Sequence, residues 1–309
     1  MSQAKSFYDR NSKKRSYHDL QYRSQTDIYR LRSFNNLVKT FLINEYCTKL
    51  GNHPKVLDLC CGKGGDINKY SKNNVSFIYF LDISPQSIEV CGNRLESRKQ
   101  PFTYELGCYS MWDDAYIKHF NIENKMDLIS CQFALHYSFE NLKYAEKTLE
   151  NVSQCLVKGG YFICTIPNAF EIVKRNQDSS GKNKFGNSLY KITFPDETVG
   201  KEYPPFGAKY DFKLNEAVDC PEYLIHPRIL KQLCKKFNLS CIQEPINFED
   251  YFQKRFHEEY AKNESNMRNL IRNIDCFKIN QQENKTSGEI EEEEWSIVNL
   301  YSIIVFEKE

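Results

Sequence analysis

The sequence predicts an α/β fold: a doubly wound, mostly parallel sheet with helices between its strands, and an antiparallel β insert forming a lid over the strand ends. Three observations predict it. Val56 to Asp66 reads VLDLCCGKGGD, in which apolar residues lead into Asp58, a Gly-rich turn follows through Gly62, Gly64 and Gly65, and polar helix formers come next. A second apolar run, FIYFLD, closes on Asp82. Met126 to Gln132 (MDLISCQ) then reads as a buried fourth strand, and Lys158 to Asn168 (KGGYFICTIPN) as a turn and fifth strand. A Gly-rich turn by itself would also suit a purely structural strand-to-helix connection; the added strands make the sheet.

Taken in order, residues 1–30 form a basic N-terminal arm. Residues 1–32 hold Lys5, Arg10, Lys13, Lys14, Arg15, Arg23, Arg30 and Arg32 against Asp9, Asp19 and Asp27, which suits either a polyanion-binding arm or a solvated tail. Lys13, Lys14 and Arg15 are too few to establish a nuclear signal. From Phe34 to Leu50, the spacing of Leu37, Val38, Phe41, Leu42 and Tyr46 predicts a helix that Gly51 stops. Asn35 and Lys39 lie four apart on its polar face, directed either to solvent or to a site at the strand ends. Core strands follow near 54–59, 76–82, 126–132 and 160–166, with helices between.

Beyond Pro167 the spacing predicts a helix near 168–176 and a loop over QDSSGKNKFGN. SLYKITF (188–194), AKYDFKL (208–214) and CPEYLIH (220–226) alternate and are rich in aromatics, so three antiparallel strands build an inserted lobe at about 177–226. Arg228 to Phe237 reads as helix, Leu239 to Ile246 as extended and Phe248 to Lys262 as helix. A polar stretch at about 263–294, ending in the acidic run Glu289 to Glu294, reads as a solvated loop, and Ser296 to Glu307 as the last strand. Residues 31–309 are thereby one domain.

Composition bounds the chemistry. A chain of 309 residues with 40% hydrophobic content can bury one large core, and a net charge of +1 makes no global case for nucleic-acid binding. Twelve cysteines are scattered through strands and helices without a secretory segment, so reduced thiols and a soluble intracellular protein are expected. Cys60 and Cys61 are adjacent, no C-x-x-C occurs and the six histidines are isolated, so no metal site is predicted. No apolar run approaches the roughly 20 residues of a membrane span.

The Gly-rich turn marks a nucleotide-type cofactor site. A dinucleotide fingerprint, G-x-G-x-x-G, sets a diphosphate over a helix N-terminus, whereas here Asp58 precedes only G-x-G-G and would repel it. S-adenosylmethionine carries a sulfonium and an ammonium instead, which acids at Asp58 and Asp66 favour. Asp82 is placed to accept hydrogen bonds from ribose hydroxyls. These features make the sheet Rossmann-like and of the methyltransferase type.

Several separated motifs carry a closer resemblance: LRSFNNLVKTFLI (31–43), VLDLCCGKGGD (56–66), ISCQFALHYSFE (129–140), GGYFICTIPN (159–168), KYDF (209–212), PEYL (221–224) and LYSIIVFEK (300–308). In this order, spanning most of the chain, they resemble the cellular messenger RNA cap (guanine-N7) methyltransferases; CQFALHYSFE is the specific block. The resemblance implies methyl transfer from S-adenosylmethionine to ring nitrogen 7 of the cap guanine, S-adenosylhomocysteine as product, and no acid, base or nucleophile from the protein. It implies cofactor positions at Lys39, Asp58, Cys60, Gly62, Asp66, Asp82 and Gln132, with Asp66 toward the methionine ammonium and Lys39 toward its carboxylate. It implies a guanine pocket of Asn35, Phe133, His136, Tyr137, Pro167, Glu222 and Tyr301, with Tyr210 nearby. Capped RNA is the implied partner, with a guanylyltransferase or RNA polymerase II tail as further candidates, a nuclear location and a monomeric chain.

Two positions depart from the family pattern. Cys60 replaces the first glycine of D-x-G-x-G, and ELGCYS at 105–110 lacks the acid that usually meets adenine, leaving Gly107 and Cys108. Competing readings are a methyltransferase acting on another RNA base or a small molecule, a cap-binding module weakened in cofactor affinity by Cys60, and, most distant, an NAD-linked oxidoreductase.

Overall fold

The structure, a computed structural model, describes Ser6, Asp9 and residues 26–51, 53–119, 125–179, 183–195, 202–262, 277–279, 286–288 and 290–309. The first helix, α1 (Tyr29–Leu50), buries Leu31, Phe34, Leu37, Val38, Phe41, Leu42 and Tyr46. It starts before Phe34 because Leu31 belongs to the same stripe and its N–H donates to Glu294 Oε1 at 2.9 Å. It stops at Gly51, whose φ of 82° is open to glycine without steric cost. Phe34 meets Phe252 and Trp295 edge-on at 5.2 and 5.1 Å, so removing its ring would cost about 3–5 kcal/mol.

Strands β1 (Lys55–Leu59) and β2 (Phe77–Asp82) are buried almost throughout, as parallel strands covered on both faces require. Between them lies the short α2 (Ile67–Ser71). Ser84 caps α3 (Pro85–Glu96) by accepting from the Ser87 N–H, and β3 (Thr103–Cys108) follows at the sheet edge. Next come β4 (Met126–Gln132), a 3₁₀ turn at Leu135–Glu140, and α4 (Leu142–Cys155), capped by Asn141. β5 (Leu156–Pro167) is longer than predicted, beginning before the glycine pair at Gly159. Asn168 then caps α5 (Ala169–Asp178).

Among its described residues the insert holds four strands: β6 (Lys184–Gly186), β7 (Tyr190–Thr193), β8 (Lys209–Leu214) and β9 (Val218–Tyr223), an antiparallel meander in that order. β6 falls inside the stretch predicted as a loop; three residues are too few to display a period, and pairing of Phe185 with Ile192 supplies the strand. A Cβ at Gly186 would lie 2.2 Å from the Tyr190 carbonyl, so this tight pairing needs glycine. β9 ends earlier than predicted because His226 and Pro227 open α6 (Pro227–Lys236).

The chain continues through β10 (Leu239–Asn247), α7 (Phe248–Lys262), the pair β11 (Phe277–Ile279) and β12 (Thr286–Gly288), α8 (Glu292–Val298) and β13 (Tyr301–Lys308). Here the acidic run differs from the predicted solvated loop. Glu291 caps α8 in a reciprocal box with Glu294, the carboxylates of its first turn favour the helix N-terminus, and Glu294 is only 4% exposed. Ser296 to Val298 are consequently helical, and the last strand starts at Tyr301. β11 and β12 also fall inside the predicted loop, and its residues 263–276, 280–285 and 289 lie outside the described residues.

The main sheet has the order β10-β13-β5-β4-β1-β2-β3, parallel except where β13 runs against β5 and β10. One face packs on α1, α2, α3 and α7 and the other on α4 and α6, while the insert meets the 3₁₀ turn after β4 and α5 after β5. Strand order reverses beside β1, which opens a crevice at the carboxyl ends of β1 and β4.

Of the basic arm, Lys5, Arg10, Lys13, Lys14, Arg15 and Arg23 lie outside the described residues. Arg30 reaches Glu291 at 3.6 Å, and Arg32 donates to the Glu216 carbonyl at 2.8 Å. Among the described residues, eleven cysteines are free thiols, no group of three metal-ligating side chains could hold an ion, and no helix is long and apolar enough to cross a membrane.

Candidate functional site

At the crevice, the turn after β1 is held open by left-handed backbone: φ is 64° at Cys60, 54° at Gly62 and 71° at Gly64. The Asp82 carboxylate braces it, accepting from the Gly62 N–H at 2.8 Å and from the Ser84 N–H at 2.9 Å. Burial raises the Asp82 carboxyl against the lowering effect of these amides. A Cβ built on Gly62 or Gly65 meets nothing within 4 Å, so both face open space.

Four charged groups converge beside this turn. Asp66 lies 2.8 Å from the Lys39 ammonium and 2.7 Å from that of Lys69, and all three are largely buried. Burial alone would raise the Asp66 carboxyl, but the two ammonium groups hold it below the ordinary range. Asp58 differs. It is 2% exposed, its Oδ2 has no hydrogen-bond partner, and burial, followed by the charge of Asp66, pushes its carboxyl well above the ordinary range. Two carboxylates and two ammonium groups balance, but both ammonium groups sit on Asp66, and the buried Oδ2 of Asp58 suits a further donor such as the ammonium of an amino-acid ligand.

Lys69 is a residue that sequence reasoning missed. It lies three after Asp66, a helical spacing that was legible, and it also donates to Asn36 Oδ1 at 3.2 Å. Asp9 was missed as well: its Oδ1 accepts from Ser84 Oγ at 2.6 Å, beside Asp82. At the end of β3, Cys108 is the register partner of Asp82, and its thiol donates to the Ile83 carbonyl at 3.9 Å. Gln132 donates to Ser130 Oγ at 3.0 Å and leaves its Oε1 unpartnered.

Cys60 is half-buried, and contact with Cys131, followed by burial, raises its thiol well above the ordinary range. Cys61 is raised too, by burial and then by Cys91. Both thiols stay protonated at neutral pH and are poor nucleophiles.

The second group of predicted residues lies between the main sheet and the insert. Glu222, on β9, is 4% exposed; Tyr210 across on β8 donates to its Oε2 at 2.7 Å, and His136 Nε2 stands 3.5 Å from its Oε1. Among the described residues, neither ring nitrogen of His136 has a hydrogen-bond partner. The Tyr137 ring lies 4.2 Å from that of His136, and its hydroxyl reaches Cys220 Sγ at 3.4 Å. Tyr210 is raised well above the usual phenol range by burial and then by Glu222.

Phe133 sits at φ 57°, a strained conformation for a bulky residue, costing about 1–3 kcal/mol. Its N–H donates to Thr165 Oγ1 at 2.8 Å, which holds it there. Its ring meets Tyr301 edge-on at 4.8 Å, and Phe248, a third ring not foreseen, at 5.7 Å. Tyr301 pairs in register with Pro167. Asn35, one turn before Lys39 on α1, keeps its Oδ1 buried and unpartnered.

A family model described as the mRNA (guanine-N(7))-methyltransferase domain matches residues 2–309. The mRNA cap guanine-N(7) methyltransferase of Drosophila melanogaster is 33% identical over 314 residues, covering 93% of this chain and 73% of that protein. The mRNA cap guanine-N(7) methyltransferase 1 of Oryza sativa subsp. japonica is 34% identical over 309 residues, covering 95% and 79%. In fold, the chain is similar to an S-adenosylmethionine-dependent methyltransferase from Clostridium acetobutylicum (TM-score 0.51, 15% identity, 94% and 96% of the two chains). The CcbJ methyltransferase of Streptomyces caelestis is similar to the same degree (TM-score 0.52, 10% identity, 87% and 89%).

Proposed function

The chain belongs to the mRNA (guanine-N(7))-methyltransferase family and is an S-adenosylmethionine-dependent methyltransferase, and from that premise we propose that it methylates ring nitrogen 7 of the guanosine capping messenger RNA. S-adenosylmethionine, when bound, supplies the methyl group on an already activated sulfonium. Ring nitrogen 7 carries an in-plane lone pair and no proton, so no side chain has to act as a base. The protein's part is to hold nucleophile and donor in line, worth up to about 7–11 kcal/mol in favourable cases.

The observation that carries the reading is Glu222: a buried carboxylate with which, among the described residues, no lysine or arginine pairs. It suits the two adjacent donors of a guanine, the ring N–H and the exocyclic amine. Phe133, Tyr137, Pro167 and Tyr301 would enclose the base, with His136 and Asn35 at its edges. On the cofactor side, Asp82 would hold the ribose and Gln132 would lie near the sulfonium end. Lys39 and Lys69 suit the carboxylate of the amino-acid moiety. Its ammonium is better assigned to Asp58 than to Asp66, since Asp66 already holds two lysines. Cys60 is tolerated beside a methyl donor because its thiol stays protonated. By family analogy we place the protein in the nucleus, as a monomer, with the guanylyltransferase or the RNA polymerase II tail as neighbours.

The test is transfer of label from S-adenosylmethionine to RNA bearing an unmethylated guanosine cap, beside the same RNA uncapped and one whose cap is already methylated. Label confined to the first RNA is expected. Equal label on uncapped RNA would assign an internal base instead, and saturable cap binding without label would leave a binding module.

A further inference from the structure

A groove of about 1210 Å³ opens between α5, α6 and the segment 202–205. It adjoins the guanine pocket, because α5 follows directly on Pro167 and α6 follows closely on Glu222. Phe170 lines it and is 61% exposed, an unusual cost for a full aromatic face. Its ring meets His226 edge-on at 5.5 Å. Lys174, one helical turn along α5, and Arg228, in the first turn of α6, are exposed cations in the same lining. Asn176 lines the groove too. It is only 8% exposed, donates to the Tyr203 hydroxyl at 2.9 Å, and leaves its Oδ1 with no partner among the described residues.

An aromatic face, two cations and a buried acceptor awaiting a donor are what a single-stranded nucleic acid uses: a base to stack, phosphates to neutralise, and an N–H to place. We propose that this groove binds the transcript beyond its first nucleotide. A base stacks on Phe170, Asn176 Oδ1 accepts from its edge, and flanking phosphates lie on Lys174 and Arg228, the latter aided by the α6 N-terminus. This deepens the proposed function and rests on capped RNA being the substrate. It makes chain recognition separate from cap recognition, so a cap dinucleotide would occupy one site and a capped RNA both.

Phe170→Ala and Arg228→Gln change exposed side chains outside the catalytic machinery. Methylation of a cap dinucleotide is compared with that of a capped RNA of about ten nucleotides, and anisotropy measures binding of the same RNA with a 5′-hydroxyl and no cap. Phe170→Ala should raise KM for the capped RNA about ten-fold and weaken the uncapped strand similarly, leaving the dinucleotide unchanged. Arg228→Gln should lower the salt dependence of RNA binding by about one counterion. Equal losses on dinucleotide and RNA would make Phe170 a support of the cap pocket and overturn the proposal. Unchanged RNA affinity in both variants would overturn it in favour of a protein segment as the occupant. A wild-type protein that methylates neither substrate yet binds the uncapped strand through Phe170 would sink the cap reading and leave the groove standing.

Discussion

Replacing Asp58 by asparagine separates two quantities that usually fall together, stability and ligand affinity. Asp58 is 2% exposed with Oδ2 unpartnered, and burial, then Asp66, raises its carboxyl well above the ordinary range. In the unfolded chain the same carboxyl titrates near about 3.9. Because the folded value is the higher one, the folded state binds the proton more tightly. The stabilisation that follows is fully present below about pH 3.9 and is lost as pH rises toward the folded value. Over that window wild type loses up to about 1.4 kcal/mol per pH unit that an uncharged amide does not. Asp58→Asn should therefore melt above wild type at pH 8, with the gap closing toward pH 4.

Cofactor affinity should move the other way. Losing a hydrogen bond to a charged group costs about 1.5–3 kcal/mol, or about 10- to 150-fold in Kd. Calorimetry should also show wild type releasing protons on binding S-adenosylmethionine below the folded Asp58 value, a release absent from the variant. Thermal scans from pH 4 to 8 together with calorimetry decide the matter. A variant destabilised at pH 8, or one that binds the cofactor as tightly as wild type, would refute the reasoning.

Glu222→Gln keeps an acceptor for the Tyr210 hydroxyl, now at 2.7 Å, but cannot accept two guanine donors; cap methylation should fall about 100-fold or more at unchanged cofactor affinity. A parallel loss of cofactor binding would break that site assignment. Glu222→Ala should in addition lose about 1–3 kcal/mol of stability, since Tyr210 is left unpaired, and urea titration of both variants checks the difference. Cys60→Gly relieves a left-handed residue at φ 64°, worth about 1–2 kcal/mol before the entropy cost of glycine, so cofactor affinity should hold or improve. Weaker binding on calorimetry would mean that the thiol itself touches the ligand. Glu294→Ala removes the acceptor for the Leu31 and Glu291 N–H groups and should lower stability by about 1–2 kcal/mol, with Glu294→Gln recovering part. A Tm unchanged by Glu294→Ala would place the start of α1 under other control.

The sheet was legible because burial on both faces makes β1, β2, β4 and β5 continuous apolar runs, which need no partner to be recognised. The glycine turn was legible for a similar reason, being set by local backbone, and Asp58, Asp66 and Asp82 stood out as charges at the ends of apolar runs or beside the turn. Lys69 was within reach, since its spacing to Asp66 is itself helical. β6 was not, because three residues become a strand only when β7 pairs with them. Nor was α8: four glutamates in a row read as solvated until Glu294 is seen to accept from Leu31, 263 residues earlier in the chain.

By itself, then, the order of residues determined the doubly wound class, the position of the cofactor turn and the family motifs, since each depends on neighbours in sequence. Which acid keeps its charge was decided only by tertiary structure. Asp66 draws Lys39 from α1 and Lys69 from α2, while Asp58, eight residues away in sequence, is left buried with neither ammonium in contact and its Oδ2 unpartnered among the described residues. Electrostatic energy in a low-dielectric crevice depends on distances of a few ångströms between groups from separate elements, and no local pattern records them.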